Sequence, residues 1–177
     1  MKSKTVKIAL GGGCHWCTEA VFQSLKGVEN VDQGYVSSTD ENNSFSEAVI
    51  VHYNPKIISL SVLIEIHLHT HKSTSNHSMR TKYRSAIYFF SKIQEMESKA
   101  VIEELQSEFE NKIVTKVLPF SGFKASREAI QNYYQKNPNK PFCETFINPK
   151  LKFLIENYSN SLDETKIEHL QLQPNIE

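Results

Sequence analysis

The chain has 177 residues, and its 20 basic side chains balance its 20 acidic ones, so the formal net charge is zero. This length suits one domain whose core is large enough to be stable without disulfide bonds. A balanced charge provides no overall field that would favour nucleic acid or an anionic membrane surface. We therefore expect neither nucleic acid nor a membrane among the partners of this chain.

The cysteines and the N-terminus indicate the cellular compartment. Three cysteines are an odd number and too few for the disulfide framework of a small secreted protein. The sequence opens on MKSK and passes directly into a strand-like segment, without a long apolar signal region. The most apolar helical stretch, residues 57–68, is short and is interrupted by Glu65, so it does not predict a membrane span. We expect a cytoplasmic protein.

The spacing of apolar residues predicts alternating strands and helices. Strands are expected at residues 5–10, 28–35, 47–53, 85–90 and 114–120, and helices at residues 16–25, 60–69, 91–109 and 126–134. The order β-α-β-β-α-β-α-β-α fits an α+β fold, a two-layer sandwich with a mixed or antiparallel sheet and a split βαβ, ferredoxin-like core. Residues 1–157 are assigned to one domain. Residues 158–177 become polar and are expected to form a frayed tail.

The most informative stretch is GGGCHWCTE, residues 11–19, between the first predicted strand and the first predicted helix. The glycines form a flexible turn that brings Cys14 to the helix start, where free N–H groups and the positive dipole end favour an anion. Such a position lowers the pKa of a cysteine and favours the nucleophilic thiolate. Cys17 follows one helical turn later, close enough for a disulfide with an oxidised Cys14. A glycine turn with two buried cysteines also fits these letters.

Three blocks, in this order, resemble those of methionine sulfoxide reductase A: GCHWCTE at residues 13–19, SEAV at residues 46–49 and YRSAIY at residues 83–88. A later segment, NPNKPFC at residues 137–143, resembles one in some members that carries a further cysteine. The resemblance covers residues 5–155. It implies a monomeric enzyme without a bound cofactor or metal that reduces the S epimer of methionine sulfoxide, free or in oxidised proteins.

The resemblance also implies a role for each matched residue. Cys14 would attack the sulfoxide sulfur, Glu47 would protonate the sulfoxide oxygen, and Tyr83 would hold that oxygen through its phenol. Trp16 would form part of the apolar pocket for the S-methyl group. A second cysteine would condense with the Cys14 sulfenic acid, and thioredoxin or a similar dithiol would reduce the resulting disulfide.

Two cysteines are candidates for this resolving step. Cys17 is expected to act first, because a helix places it one turn from Cys14. Cys143 is expected to be a second or backup thiol, because a proline-flanked, mobile segment must deliver it.

The residues around Glu47 support its role as a proton donor. On a strand, Glu47 shares one face with Val49 and Val51, and apolar surroundings raise the pKa of a carboxyl. A carboxylic acid that stays protonated near neutral pH can act as a general acid. A glutamate at the solvent edge of the strand fits the pattern equally well without the resemblance.

Several positions depart from the family's pattern. The residue after the nucleophile, usually phenylalanine, is His15, whose imidazole is a poorer wall for a methyl group but would favour the neighbouring thiolate as a cation. An aspartate five residues before the tyrosine of the third block is replaced by Ser78. The loop between Tyr35 and Glu47 lacks the Pro-Thr-Tyr segment that usually supplies a second tyrosine. Tyr35 is the candidate replacement, and with His15 and Trp16 it completes the predicted substrate pocket.

Two other functions are open from the residues. A thiol–disulfide oxidoreductase would use the pair Cys14 and Cys17, but a thioredoxin fold needs a cis-proline facing that pair, and none of the six prolines directly precedes an apolar strand. A non-catalytic zinc-binding interaction module would add histidines at positions 67, 69, 71 and 77 to the two cysteines. The alternating histidines do not share one helical face, so solvated loop histidines are the expectation.

Overall fold

In the computed structural model, which describes residues 5–171, six strands form one mixed sheet. The strands are β1 (Val6–Gly11), β2 (Val28–Ser37), β3 (Ser46–Tyr53), β4 (Ala86–Phe89), β5 (Lys116–Pro119) and β6 (Gly122–Ala125). Their order across the sheet is β5-β4-β1-β3-β2-β6. The β4–β5 pair is parallel, and the pairs β1–β3, β1–β4, β2–β3 and β2–β6 are antiparallel.

Helices connect these strands and follow them toward the C-terminus. They are α1 (His15–Gln23), α2 (Leu60–Thr70), α3 (Lys92–Leu105), α4 (Tyr133–Lys136), α5 (Asn148–Asn157) and α6 (Glu164–Gln171), with a π-helical turn at Cys143–Ile147. The central strand order β4-β1-β3-β2, with α1 and α2 as connections, is that of a split βαβ unit, which confirms the predicted α+β class and ferredoxin-like core. Among the helices of residues 5–171, none combines the length and the apolar character that a bilayer crossing needs.

The main core lies between the helices and one face of the sheet. Leu10 and Val49 on the strands pack in one cluster with Phe22 of α1 and Leu63 of α2, and all four are fully buried. Full burial of such a side chain contributes about 1.5–3 kcal/mol each. The other face of the sheet carries a smaller cluster that includes Tyr88. Because Leu10 and Phe22 belong to the same core cluster, α1 is held against β1.

The predicted helix at residues 126–134 is wrong. A short 3-10 turn spans Glu128–Ile130, Asn132 adopts a left-handed conformation with φ of 55°, and α4 begins only at Tyr133. The buried carboxylate of Glu19 accepts the backbone N–H groups of Asn132 and Tyr133 at 3.0 and 3.2 Å. These N–H groups are bound by a side chain from α1, so they do not bond carbonyls of the preceding turn as a regular helix requires.

The expected frayed tail is also wrong over residues 158–171. Helix α6 packs into the main core, where Leu162, Ile167 and Leu170 are buried. The backbone N–H of Lys26 donates to the Ser161 carbonyl at 2.8 Å, which ties this segment to the end of α1. Three apolar side chains stabilise a segment that is otherwise polar. Residues 172–177 lie outside the described residues, and the domain limit at residue 157 stays a prediction.

Candidate active site

The glycine turn at the end of β1 lies tightly packed between the backbone of Glu47 and the ring of His71. A Cβ on Gly11 would lie 2.9 Å from the Glu47 carbonyl oxygen, and a Cβ on Gly12 would lie 2.6 Å from His71 Nε2. Real Cβ atoms are not found this close to other atoms. Gly11 and Gly12 are therefore required, because neighbouring atoms lie too close to their backbone for any side chain. A Cβ on Gly13 would have no atom within 4 Å. This turn delivers Cys14 to the start of α1.

The buried His67 of α2 and the partly buried His71, which caps the end of α2, support the turn. His67 Nε2 donates to the Gly11 carbonyl at 2.8 Å, and His71 Nδ1 donates to the His67 carbonyl. Ser85 Oγ lies 2.8 Å from His71 Nε2 and donates to it, so both ring nitrogens of His71 have partners. The expectation of solvated loop histidines is wrong for this pair, because the rings fill space behind the turn.

His69 has a different environment. Its ring stacks on Phe109 at 4.6 Å, and its Nε2 lies 3.3 Å from a carboxylate oxygen of Glu108. Within residues 5–171, the side chains whose ligand atoms come close enough to share a metal ion are Glu65, His69 and Glu108, so His69 does not form with the cysteines the cluster that a zinc module of cysteines and histidines requires.

The sulfur of Cys14 lies where hydrogen-bond donors converge. Cys14 is the N-cap residue of α1 and is partly exposed. A hydrogen bond from the Cys17 thiol lowers the pKa of Cys14 most, and the backbone N–H groups of Trp16 and Cys17 lower it further, against the opposing effect of burial. The structure therefore favours a thiolate at Cys14.

The environments of Cys17 and Cys143 favour the thiol, whereas that of Cys14 favours the thiolate. Cys17 is buried, and its pKa is raised because it donates to Cys14 and is removed from water. Cys143 begins the π-helical turn and is fully buried, and burial raises its pKa also. All three cysteines are free thiols. Cys143 lies in a packed position, so the mobile delivery expected for it would require this turn to open.

Lys150, which the sequence motifs did not indicate, faces the thiols from α5. With Cys14 and Cys17 it lines a small cavity of about 50 Å³, and its ammonium group donates to the Thr70 carbonyl. Burial lowers the pKa of Lys150, and its positive charge opposes the rise in the pKa of Cys17. A lysine on an amphipathic helix carries no sequence signal for this position.

Glu47 lies at the start of β3, where the turn, α1 and β2 meet. Its Oε1 accepts the backbone N–H of His15 at 3.3 Å and lies 3.2 Å from His15 Nε2. Its Oε2 lies 3.8 Å from the ammonium of Lys82. Tyr35 is directly opposite Glu47 in the β2–β3 ladder, and its ring meets the His15 ring edge-on at 5.2 Å. The buried carboxyl group thus lies beside one imidazole and one ammonium, and Tyr35 contacts the imidazole.

Tyr83 is held near Glu47 by the backbone of the loop before β4. The Glu47 N–H donates to the Lys82 carbonyl at 3.0 Å. The Ser46 hydroxyl donates to the same carbonyl at 2.9 Å and accepts the Arg84 N–H at 2.7 Å. These bonds fix the residues on both sides of Tyr83.

A guanidinium group joins this loop to the glycine turn. Arg80 Nη1 donates to the Gly12 carbonyl at 2.9 Å and to the Tyr83 carbonyl at 2.8 Å. Its Nε donates to the Ser75 carbonyl at 2.9 Å. Arg80 therefore couples the positions of the turn that carries Cys14 and the loop that carries Tyr83.

An open cleft of about 440 Å³ exposes both Cys14 and Tyr83. Its apolar wall includes Met79, Phe142 and Phe146. Met79 and Phe146 are 50% and 53% exposed, which leaves these two apolar side chains available to a substrate. The cleft can accept a thioether side chain next to the sulfur of Cys14.

The three predicted pocket residues lie around Cys14 but in different surroundings. Trp16 stacks on Tyr133 at 4.2 Å and meets Phe142 edge-on at 5.2 Å, so it supports the apolar wall. His15 is buried and contacts Glu47, and Tyr35 lies beside it. Tyr133 and Phe142 were not among the predicted pocket residues, because their segment is aromatic but carries no other sequence signal for this position.

Comparison with known proteins agrees with this geometry. A family model described as peptide methionine sulfoxide reductase matches residues 6–162. The peptide methionine sulfoxide reductase MsrA of Deinococcus radiodurans is 36% identical over 167 residues, covering 85% of this chain and 81% of the relative. The MsrA of Pasteurella multocida is 36% identical over 160 residues, covering 82% and 92%.

Solved structures of the same kind share the fold. The crystal structure of Mxr1 from Saccharomyces cerevisiae in reduced form has a TM-score of 0.72 and 27% identity, covering 82% of this chain and 93% of that one. The structure of Mxr1 in complex with Trx2 has a TM-score of 0.60 and 28% identity, covering 75% and 87%. From the family match, the relatives and the site around Cys14, we conclude that this chain belongs to the methionine sulfoxide reductase A family and reduces methionine sulfoxide.

Proposed function

We propose that Cys14, Glu47 and Tyr83 carry out the reduction of methionine-S-sulfoxide, free or exposed on oxidised proteins. The observation that carries this proposal is the thiolate-favouring position of Cys14 at the edge of an apolar cleft that also exposes Tyr83. Methionine oxidation leaves a polar sulfoxide on a flexible side chain. An open cleft with exposed apolar side chains suits such a residue on many different proteins.

The reductase step transfers one oxygen atom from sulfur to sulfur. The Cys14 thiolate attacks the sulfoxide sulfur, and Glu47 gives a proton to the sulfoxide oxygen, which leaves poorly as an oxide. The attack forms a bond between the two sulfur atoms. The protonated oxygen then moves to the Cys14 sulfur, as the substrate S–O bond and the bond between the two sulfurs break, and Cys14 is left as sulfenic acid. The substrate sulfur gains the two electrons that Cys14 loses, and methionine departs. Tyr83 holds the oxygen during this transfer.

The resolving step forms a disulfide and releases water. The Cys17 thiol condenses with the Cys14 sulfenic acid, and Cys143 is the backup thiol. A dithiol reductant then reduces the disulfide by thiol exchange. The yeast relative Mxr1 has been solved in complex with Trx2, which supports a thioredoxin as the partner of this chain. The monomeric state and the cytoplasmic location stay predictions.

A stereospecific assay tests this function. Purified protein is incubated with dithiothreitol and either dabsyl-methionine-S-sulfoxide or the R epimer, and the methionine product is quantified. We expect product from the S epimer and none above background from the R epimer. Cys14→Ser should abolish product, because a hydroxyl is a far weaker nucleophile at neutral pH. Equal turnover of both epimers, or activity in a folded Cys14→Ser variant, would contradict the proposal.

A further inference from the structure

The hydrogen-bond partners of the His15 imidazole determine which of its ring nitrogens carries a hydrogen. Its Nδ1 lies 2.8 Å from the Gly34 carbonyl oxygen. A carbonyl only accepts hydrogen bonds, so Nδ1 carries a hydrogen. In a neutral ring this leaves Nε2 with a lone pair and no hydrogen. That atom lies 3.2 Å from Oε1 of Glu47.

This tautomer sets the number of protons on the pair of His15 and Glu47. A lone pair on Nε2 and a carboxylate oxygen would repel each other at 3.2 Å if no hydrogen lay between them. The contact is favourable when a neutral imidazole faces a protonated carboxyl, or when an imidazolium faces a carboxylate. Each arrangement holds one proton beyond the neutral ring and the carboxylate. Burial lowers the pKa of His15, which favours the arrangement with the proton on Glu47.

The groups around the pair affect where this proton lies. The His15 backbone N–H donates to Glu47 Oε1, and Lys82 lies 3.8 Å from Oε2, so both favour a carboxylate. The Cys14 thiolate opposes a second negative charge, since the Glu47 charge raises the pKa of Cys14. Tyr35 presents its ring edge to the imidazole. The His15 and Glu47 side chains are only 4% and 8% exposed, so water competes little for the proton.

We propose that His15 is a positioning residue that retains, together with Glu47, the one proton consumed in each reductase step. The proposal rests on the proposed function of the same site and adds the source of its proton. When the Cys14 thiolate attacks, Glu47 passes the proton to the sulfoxide oxygen and becomes a carboxylate. The pair regains a proton from solvent before the next turnover. His15 acts only through Glu47 and does not contact the reacting atoms.

The first experiment measures the single-turnover rate of methionine formation against pH. The rate should fall at alkaline pH as the pair loses its shared proton. In His15→Phe, Glu47 has no imidazole acceptor but keeps its contacts with Lys82 and a backbone N–H. The alkaline fall should therefore move to lower pH by about one unit, a tenfold change in proton affinity.

A second histidine–carboxylate pair provides the control. His52 Nε2 lies 2.6 Å from a carboxylate oxygen of Asp32, near the opposite end of β3. His52→Phe should leave the alkaline fall where it is in the unsubstituted protein. A His15 that only fills space would change the rate without moving the fall. An unmoved fall in folded His15→Phe would overturn the proposal.

The second experiment uses the unsubstituted protein, so it does not depend on the folding of a variant. Nitrogen-15 NMR of the imidazole reports which ring nitrogens carry a hydrogen. We expect the Nδ1–H tautomer of His15 near neutral pH. An Nε2–H tautomer would overturn the proposal even in an active enzyme. Conversely, the predicted tautomer in a protein that does not reduce the S epimer would contradict the proposed function alone.

Discussion

The ring of His71 lies directly against Gly12, at the point where the chain turns from β1 toward the nucleophile. A Cβ on Gly12 would lie 2.6 Å from Nε2 of that ring, and the ring is fixed by the His67 carbonyl and by Ser85. The imidazole cannot move aside without losing a hydrogen bond. The position of Cys14 thus depends on a contact between a glycine and a histidine that are far apart in sequence.

Gly12→Ala should destabilise the protein, because the added methyl group collides with a fixed ring. Overpacking of this kind costs about 1–3 kcal/mol of the free energy of unfolding, measured by urea denaturation. The variant should also lose sulfoxide reduction as the turn shifts. Gly13→Ala is the matched control, since its methyl group meets open space. Equal stability of the two variants would show that the turn adapts without cost.

His67 should make the protein less stable in mild acid. Burial lowers the pKa of His67 from an ordinary value of 6.5 to about 4. Between these values the unfolded chain binds a proton and the folded protein does not, so the free energy of unfolding falls as pH falls through this window. The contribution of His67 is about 3 kcal/mol.

Urea denaturation at several pH values measures this effect. In His67→Gln an amide N–H can still donate to the Gly11 carbonyl, but the side chain does not titrate. The loss of stability between pH 6.5 and about 4 should therefore be smaller than in the unsubstituted protein. In His77→Gln, at a partly buried position, most of the loss should remain, although burial lowers the pKa of His77 as well. The same slope in His67→Gln would mean that His67 is charged in the folded protein.

The first disulfide formed after sulfoxide reduction should join Cys14 and Cys17. The Cys17 thiol hydrogen-bonds the Cys14 sulfur, whereas Cys143 is fully buried in the π-helical turn. Mass spectrometry of protein trapped after one turnover identifies the bridge. In Cys17→Ser, one methionine should still form per enzyme before thioredoxin-dependent turnover stalls. A bridge between Cys14 and Cys143 alone, with Cys17 free, would make Cys17 a packing residue.

Lys150→Met should slow disulfide formation and leave the reductase step nearly unchanged. The Lys150 charge opposes the high pKa of Cys17, which must lose its proton to attack the sulfenic acid. Without the Lys150 charge the pKa of Cys17 should rise further, and each unit of that rise reduces the thiolate fraction about tenfold. Rapid-quench measurements separate methionine release from disulfide formation. Lys152→Met, on an exposed position of α5, is the control and should change neither rate.

The sequence could predict those parts of the site that lie in short contiguous motifs. Cys14 and Cys17 are readable because a glycine turn and a helix start are local features. Glu47 and Tyr83 are indicated by the family resemblance. The structure places Glu47 at the start of β3 and fixes the loop around Tyr83 near it, but their catalytic roles stay predictions.

Other features depend on contacts between distant segments. Glu19 binds the backbone at Asn132 and Tyr133, and this interaction replaces a helix that local spacing favours. Lys150 reaches the thiols because α5 packs near α1, which its own sequence does not indicate. The pairing of His15 with Glu47 likewise requires the strand register and the turn to be known.

Single-turnover stoichiometry tests the central claim, that Cys14 alone performs the reductase step, most directly. A Cys17→Ser, Cys143→Ser double variant contains Cys14 as its one thiol. With excess methionine-S-sulfoxide and no reductant, it should form one methionine per enzyme, and the sulfenic acid should be trapped at Cys14. The same double variant with Cys14→Ser added should form none. Methionine formation by that thiol-free protein, or no product from the Cys14-only variant in its folded state, would contradict the account.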